Sequence, residues 1–189
     1  MIRTAPLEQA ELAIIGAGCA GLSLARQLVR TEKTSGIKAC LYGPVSPAAT
    51  NRHSWGFWAT QGLEEQTELA RQRWHKWQII TAERKVTQTA DSHPYCRLDS
   101  RDWLTHCLNI IDGNIQQEPD SLPTPGAQPV FDSRPPNVPD GAMLQHFKGV
   151  EIKAAQPCFS PDTAILMDFR CDQSRGIHFI YLLPYSPTE

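Results

Sequence analysis

Apolar and polar positions in the first part of the chain predict a strand, a helix and a second strand. Leu12–Ile15 is a short apolar run that fits one buried strand. The segment that follows repeats apolar residues at helical spacing, namely Ala20, Leu24 and Leu28, flanked by Ala25 and Val29. After a polar loop, residues 37–42 form a second apolar run. Together these elements predict a β-α-β unit with two parallel strands.

Three glycines lie between the first strand and the first helix. Gly16, Gly18 and Gly21 have the G-x-G-x-x-G spacing of a dinucleotide fingerprint. In that fingerprint the glycines allow a tight turn, a close approach of the pyrophosphate and close helix-to-strand packing. The helix N-terminus that follows is suited to a diphosphate. The glycines therefore predict a Rossmann-like FAD/NAD(P)-binding unit, with a tight turn that binds no ligand as the alternative.

The fingerprint lacks its usual acidic residue. A dinucleotide site commonly has Asp or Glu about 20 residues further on, where it accepts hydrogen bonds from the ribose hydroxyls. In this chain that place holds Leu41, Tyr42 and Gly43, and no acidic residue occurs between Glu32 and Glu64. We therefore expect the backbone or a neutral side chain to contact the ribose, or the nucleotide to be held poorly.

The middle of the chain is predicted to contain further helices and an aromatic cluster. A loop is predicted over 44–51, and residues 53–58 (HSWGFW) fit either core packing or stacking on a flat, conjugated ligand. Residues 64–73 are predicted to be helical because Ala70, Trp74 and Trp77 have helical spacing, although a strand starting at Trp77 also fits. A further helix is predicted after Ser100, a suitable N-cap, with a buried face of Leu104, Cys107, Leu108 and Ile111, ending at 112–114.

The last part of the chain is predicted to be mainly strands. A short strand over 128–132 is followed by Arg134, which with Asp132 fits either a cofactor contact or a turn. Residues 147–153 alternate like a half-buried strand, and 164–170 and 177–183 fit an antiparallel hairpin. The sequence thus predicts an α/β protein with a dinucleotide-binding domain over 1–140 and the start of an antiparallel sheet over 141–189.

Composition narrows the functional classes. The chain has 189 residues, 41% of them hydrophobic, and a formal net charge of −2. Such a charge provides no basic surface for nucleic acid, so we expect no nucleic-acid partner. The first residues lack the apolar core of a signal peptide, and no apolar run is long enough to span a bilayer, so a cytoplasmic location is predicted. The six cysteines include no C-x-x-C pair, so no metal site is predicted.

Seven segments, in one order along the chain, carry a family resemblance. They are GAGCAGLSLA, HSWGFW, YCRLDS, VFDSRPP, LQHFKGVEI, LMDFR and FIYLLPYSPT. This series resembles the bacterial lycopene β-cyclases, flavoproteins that close the ends of lycopene in carotenoid synthesis. The resemblance covers nearly the whole chain. The glycine segment is shared by many flavoproteins, whereas HSWGFW and the stretch from LMDFR to SPT are more specific.

The resemblance implies FAD as cofactor, with NAD(P)H needed only to reduce it. It also implies an isomerisation without net redox change, in which an acid protonates the terminal double bond of lycopene or a related polyene. Such a site needs a proton donor and negative charge near the developing cation. Because the substrate lies in a membrane, we expect the protein to be peripheral to the inner membrane.

Two residues outside the glycine turn are candidates under this resemblance. Asp168 lies in an apolar strand within LMDFR and is the candidate catalytic, substrate-facing carboxyl. Its alternative is a solvent-facing position paired with Arg170 or Lys153. Arg97 is a candidate for binding charge on the flavin side, with an ordinary surface or packing arginine as its alternative.

The resemblance also predicts that the chain is truncated. In the family, the SPT segment leads into a Glu-Asp/Glu-Thr motif whose acid is implicated in catalysis, and that motif is absent from this sequence. The chain therefore resembles the N-terminal half of a cyclase, in which 141–189 would be the incomplete start of the antiparallel substrate-binding sheet. A complementary half chain is a candidate partner. Two alternatives are a flavin-dependent oxidoreductase of the prenyl-chain reductase type and a remnant without catalysis.

Overall fold

The computed structural model describes residues 10–34, 36–44 and 53–189, which fall into two compact units. The first unit combines 1–53 with 100–142, and the second combines 54–99 with 143–189. The predicted loop over 44–51, apart from Pro44, lies outside the described residues. The predicted domains, 1–140 and 141–189, stay a prediction; in the structure, residues 54–99 share a unit with 143–189. Within this segment, residues 76–80 pair with a strand at 163–168, a long-range pairing that local sequence patterns do not show.

The helices and strands of the described residues follow one another in this order. They are β1 (Leu12–Ile15), α1 (Cys19–Arg30), β2 (Ala39–Tyr42), β3 (Ser54–Trp58), α2 (Glu64–Glu68), β4 (Gln72–Trp74), β5 (Lys76–Ile80), β6 (Lys85–Thr89), β7 (Tyr95–Asp99), α3 (Ser100–Ile111), β8 (Gln116–Glu118), β9 (Val130–Asp132), β10 (Thr163–Asp168) and β11 (Ile180–Leu182).

The first unit contains a parallel sheet with the strand order β8-β2-β1-β9. Counted along this unit, the order is 3-2-1-4, which is that of the first half of a dinucleotide-binding sheet. The direction of strand progression reverses between β1 and β9, which makes their carboxyl ends the topological switch point. The predicted β-α-β unit is therefore present, and it is placed where open α/β sheets bind ligands.

Helices α1 and α3 pack against each other in the first unit. The Trp103 indole N–H donates to Ser23 Oγ at 2.9 Å, and Trp103 is almost fully buried. In α1 the buried residues are Gly21, Leu22 and Ala25, whereas Ala20 of the predicted apolar row is exposed. The predicted helix is confirmed, but its buried face is displaced because Gly21 must contact the turn after β1.

Helix α3 also matches its predicted position closely. Leu104, Cys107 and Ile111 of the predicted face are buried, and Trp103 joins them. The hydroxyl of the buried Ser100 accepts a hydrogen bond from the His53 N–H at 3.1 Å. The helix ends at Ile111, and Gly113 follows with a φ of +70° that favours glycine.

The second unit contains two sheets, ordered β11-β10-β5-β6 and β3-β7-β4. The hairpin of β10 and β11 is antiparallel, as predicted, but β10 pairs in parallel with β5. The sheet is therefore mixed, because its two hairpins come from distant parts of the chain. Residues of both sheets form the core of this unit, a buried cluster of Trp74, Tyr95, Ala164 and Leu166.

Two predictions for this unit are wrong. The helix predicted over 64–73 is limited to α2, and the fully buried Trp74 lies in β4, which pairs with β7. Pairing with a distant strand at this point outweighs the helical spacing of the apolar residues. The strand predicted over 147–153 does not form: its residues have no partner strand, and Phe147 is 82% exposed.

Candidate nucleotide site and substrate-side residues

The turn after β1 is closely packed at Gly16. Its φ of +100° lies in the region that favours glycine, and its N–H donates to the Tyr42 carbonyl oxygen at 2.8 Å. A Cβ at this position would lie 2.5 Å from Ser133 Oγ. A side chain at Gly16 would therefore conflict both with the backbone conformation and with the neighbouring end of β9.

Gly21 and Gly18 have opposite surroundings. A Cβ at Gly21 would overlap the carbonyl oxygen of Gly16, so this glycine lets α1 pack directly on the turn. Among the residues that the structure describes, none has a heavy atom within 4 Å of a Cβ at Gly18. Gly18 is also the N-cap of α1, which has no capping side chain and no acidic residue in its first turn. The surface at Gly18 is thus open backbone at a helix N-terminus.

Ser133 holds the ends of β1 and β9 together. Its hydroxyl donates to the Ile15 carbonyl oxygen at 2.8 Å and lies 3.2 Å from that of Gly16, and its backbone N–H donates to Ile15 as well. Sequence reasoning missed this residue. The available signal was its position directly after a predicted strand, where side chains reach the carboxyl edge of a sheet.

Asp132 and Arg134 pair with each other in a turn, which is one of the two interpretations predicted for them. The Arg134 guanidinium contacts both carboxylate oxygens of Asp132, at 2.9 and 2.6 Å, and the Arg134 N–H donates to the same carboxylate. These hydrogen bonds lower the pKa of Asp132 to about 2. Both residues are exposed, so the pair closes the turn after β9 at the surface.

At the end of β2 the structure brings an acidic residue from another strand. Tyr42 is in register with Glu118, the last residue of β8. The Gly43 N–H donates to the Glu118 carbonyl oxygen at 3.1 Å, which continues the pairing past the strand end. Sequence reasoning missed Glu118 because β8 is only three residues long and lacks an apolar pattern.

Asp168 lies at the end of β10 and is paired with Arg170. Two guanidinium nitrogens of Arg170 lie 2.9 and 2.6 Å from its carboxylate oxygens, and the Arg170 N–H donates at 3.0 Å. These interactions lower the pKa of Asp168 to about 2. A proton donor needs a raised pKa, whereas this pairing favours the ionised carboxyl. The predicted Arg170 partner is present, but the Asp168 side chain is only 15% exposed and is therefore not the solvent-facing one of that alternative. A catalytic role of Asp168 stays a prediction.

Arg97 belongs to the second unit, whereas the three glycines belong to the first. Its Nε–H donates to Ser54 Oγ at 3.0 Å, and its guanidinium lies 4.8 Å from the centre of the Tyr185 ring. A further nitrogen lies 3.8 Å from Asp99, and the side chain is only 14% exposed. These contacts are those of a packing arginine, and its flavin-binding role stays a prediction.

Aromatic side chains form a connected group in the second unit. Trp58 lies edge-on to Tyr95 with ring centres 4.9 Å apart, and Trp77 lies 6.1 Å from Trp58. The Tyr181 hydroxyl donates to that of Tyr95 at 2.6 Å, and burial, followed by this hydrogen bond, raises the pKa of Tyr181. Trp58 is 43% exposed, so the group combines core packing with an accessible aromatic surface.

The described ranges 10–34, 36–44 and 53–189 lack both a metal-binding cluster and a membrane-spanning helix. They contain no group of three or more His, Cys, Asp or Glu side chains arranged to hold a metal ion. In the same ranges no helix combines the length and the apolar character needed to cross a membrane.

The fold and the glycine turn define a mixed α/β protein with a dinucleotide-binding type of sheet. The sequence profile of the family described as "Lycopene cyclase protein" matches residues 11–111 and 122–189. The chain therefore belongs to the lycopene cyclase family. A search of curated protein sequences found no significant match.

Several solved structures, two of them described as containing FAD, have partial similarity to this chain. PqsL of P. aeruginosa, in complex with 2-aminobenzoylacetate, has 17% identity over 59% of this chain and 33% of its own, with a TM-score of 0.45. The halogenase PltM, in complex with phloroglucinol and FAD, has 13% identity over 67% of this chain and 34% of its own, with a TM-score of 0.46. A putative FAD-containing monooxygenase from Photorhabdus luminescens has 22% identity over 57% of this chain and 30% of its own, with a TM-score of 0.37. The aligned part thus spans about a third of each of these proteins.

Proposed function

We propose that this chain is the dinucleotide-binding part of an FAD-dependent lycopene β-cyclase. The observation that carries the proposal is the geometry of the glycine turn in a chain of this family. Gly16 and Gly21 pack backbone against backbone, whereas Gly18 leaves open space at the N-terminus of α1. This combination lies at the switch point of a 3-2-1-4 sheet, where a pyrophosphate can approach bare backbone.

The residues of the turn fit a dinucleotide. The first N–H groups of a helix have no partners within the helix, and in α1 no side chain caps them. No carboxylate in the first turn repels a phosphate there. The backbone from Gly16 to Gly21 would hold the pyrophosphate of FAD, and reduced FAD would supply negative charge beside a developing carbocation.

The proposed reaction is a cyclisation of lycopene or a related polyene without net redox change. An acid protonates the terminal double bond, a neighbouring alkene attacks the resulting cation, and a proton is then lost. The Arg170 pairing keeps Asp168 ionised, so we assign it to stabilising positive charge rather than to donating the proton. NAD(P)H would serve only to reduce the cofactor.

The proposal extends to location and partners. A forty-carbon hydrocarbon substrate lies in a membrane, so we propose attachment of the protein to the surface of the inner membrane. We further propose that a complementary part of the enzyme contributes the remaining substrate-binding surface. The whole reaction is proposed for that complete enzyme.

Binding of FAD tests the proposal directly. The purified chain is mixed with FAD and passed through a desalting column, and the retained flavin is measured by its absorbance. We expect the wild type to retain FAD and Gly18→Asp to lose it, because a carboxylate would then occupy the phosphate position. Gly36→Asp is the matched control, since Gly36 also has open surroundings but lies beyond α1.

Two results would contradict parts of the proposal. A wild-type chain that retains no FAD contradicts the nucleotide site. For the reaction, the chain is expressed together with its complementary part in cells that make lycopene, and β-rings are the expected product. A saturated product, with electrons consumed from NAD(P)H, would instead identify a reductase.

A further inference from the structure

The carboxyl end of β2 is the usual place for the acidic residue that binds an adenosine ribose. In this chain that end consists of Tyr42 and Gly43. The nearest strand on the side away from β1 is β8, and its last residue, Glu118, is in register with Tyr42. The acidic residue is therefore one strand further from the glycine turn than in the usual arrangement.

The Glu118 side chain is near the end of β2. Its carboxylate accepts hydrogen bonds from the Gln116 amide at 2.9 Å and the Ser121 hydroxyl at 3.3 Å. Gln116 and Ser121 are exposed, and Glu118 is half-buried. Burial raises the pKa of the Tyr42 hydroxyl, and the negative charge of Glu118 contributes in the same direction. The side chain of Glu118 is thus close enough to Tyr42 to influence it electrostatically.

We infer that Glu118 replaces the missing acidic residue of β2 and accepts hydrogen bonds from the ribose hydroxyls of the bound dinucleotide. The inference rests on the proposed dinucleotide site. Adjacent strands are about 4.8 Å apart, and a glutamate side chain reaches further than an aspartate across such a gap. The Gly43 N–H bonded to the Glu118 carbonyl oxygen holds the two strand ends side by side.

Binding of ADP tests this role without any assay of the complete enzyme. Titration calorimetry compares ADP with 2′,3′-dideoxy-ADP, which lacks the ribose hydroxyls. We expect the wild type to prefer ADP by about tenfold, the effect of losing hydrogen bonds to a charged group. Glu118→Gln should weaken ADP binding by a similar factor and should not weaken the binding of dideoxy-ADP, which has no ribose hydroxyls to lose.

Because Glu118 is negatively charged, it matters whether Glu118→Gln raises or lowers the affinity for ADP. Removing a negative charge near a diphosphate strengthens binding if the residue makes no ribose contact. Unchanged or tighter ADP binding by Glu118→Gln therefore overturns the inference while leaving the dinucleotide site intact. Asp120→Asn is the matched control, because it removes the same charge two residues beyond β8 and should leave ADP binding unchanged.

Two further measurements separate the remaining outcomes. Glu118→Asp keeps the charge but shortens the side chain, and we expect it also to bind ADP more weakly. Thermal unfolding of each variant shows whether the fold is retained, and a loss of ADP binding by an intact Glu118→Gln supports the inference. A wild type that binds neither ADP nor FAD overturns the proposed site and this inference together.

Discussion

The hydroxyl of Ser133 donates a hydrogen bond to the carbonyl oxygen of Ile15 at 2.8 Å. Ile15 is the last residue of β1, and Ser133 follows the last residue of β9. The bond therefore joins two strand ends that are far apart in sequence, at the point where the sheet reverses its direction of progression. The glycine turn starts at the next residue, Gly16, so its position depends on this junction.

Ser133→Ala should destabilise the first unit modestly. The variant loses the hydroxyl bond to Ile15, and such a bond contributes about 1 kcal/mol to the free energy of unfolding. The backbone bond from Ser133 to Ile15 remains, so the strand stays in place. Urea unfolding followed by circular dichroism measures the change. Ser92→Ala is the control: its hydroxyl lies in an exposed bend and contacts only its neighbour in sequence, the His93 ring, among the hydrogen bonds described, so the variant should unfold nearly like the wild type.

Alanine at Gly21 and at Gly18 should have different effects. At Gly21 the added methyl group overlaps the Gly16 carbonyl oxygen, so we expect a loss of about 1–3 kcal/mol in the free energy of unfolding. At Gly18 the methyl group meets open space, and stability should be retained. The comparison is made by thermal unfolding. Equal stability of the two variants would contradict the close packing of α1 on the turn.

The first unit could be predicted well because its signals are local. The apolar run of β1, the glycine spacing and the helical repeat of α1 each act within a few residues, and all three elements form as expected. The residues around the turn could not be predicted in the same way. Ser133 and Glu118 reach it from β9 and β8, and only the pairing of distant strands brings them there.

Gly56→Ala should destabilise the second unit. A Cβ at Gly56 would overlap the hydroxyl group of Tyr95, whose ring belongs to the buried core of this unit. Either the ring or β3 must shift, at a cost of about 1–3 kcal/mol in the free energy of unfolding. Gly149→Ala is the control, because a Cβ there meets nothing within 4 Å. Chemical unfolding that shows the two variants to be equally stable would argue against the contact between Gly56 and Tyr95.

The second unit was harder to predict, and the errors have one physical origin. Trp74 and Trp77 have helical spacing, but they lie in β4 and β5, because β7 and β10 provide pairing partners from distant parts of the chain. Conversely, 147–153 alternate like a strand but find no partner. For Asp168, the sequence named Arg170 as a possible partner, but only the structure shows that the pair forms.

Removing Arg170 should return the pKa of Asp168 towards its ordinary value. The guanidinium and the backbone N–H of Arg170 hold that pKa at about 2. Arg170→Gln removes the guanidinium and keeps the N–H, so we expect a rise part of the way towards about 3.9. Because the pKa is lowered in the folded state, the pair stabilises the protein above the unfolded-state pKa, and this contribution is lost as pH falls from about 4 to about 2. The stability difference between wild type and variant should therefore be constant near neutral pH and shrink over that acidic range.

Carboxyl-carbon NMR follows the titration of Asp168, and urea unfolding at several pH values follows the stability. Lys76→Gln is the matched control, since Lys76 pairs with Asp162 at 2.8 Å in the same unit and should leave the Asp168 titration unchanged. If Asp168 in Arg170→Gln still titrates near 2, another group lowers its pKa. A midpoint well above 4 in that variant would instead show that Asp168 can hold a proton once its partner is gone. In that case the ion pair with Arg170 is the reason that Asp168 stays ionised and stabilises positive charge rather than donating a proton.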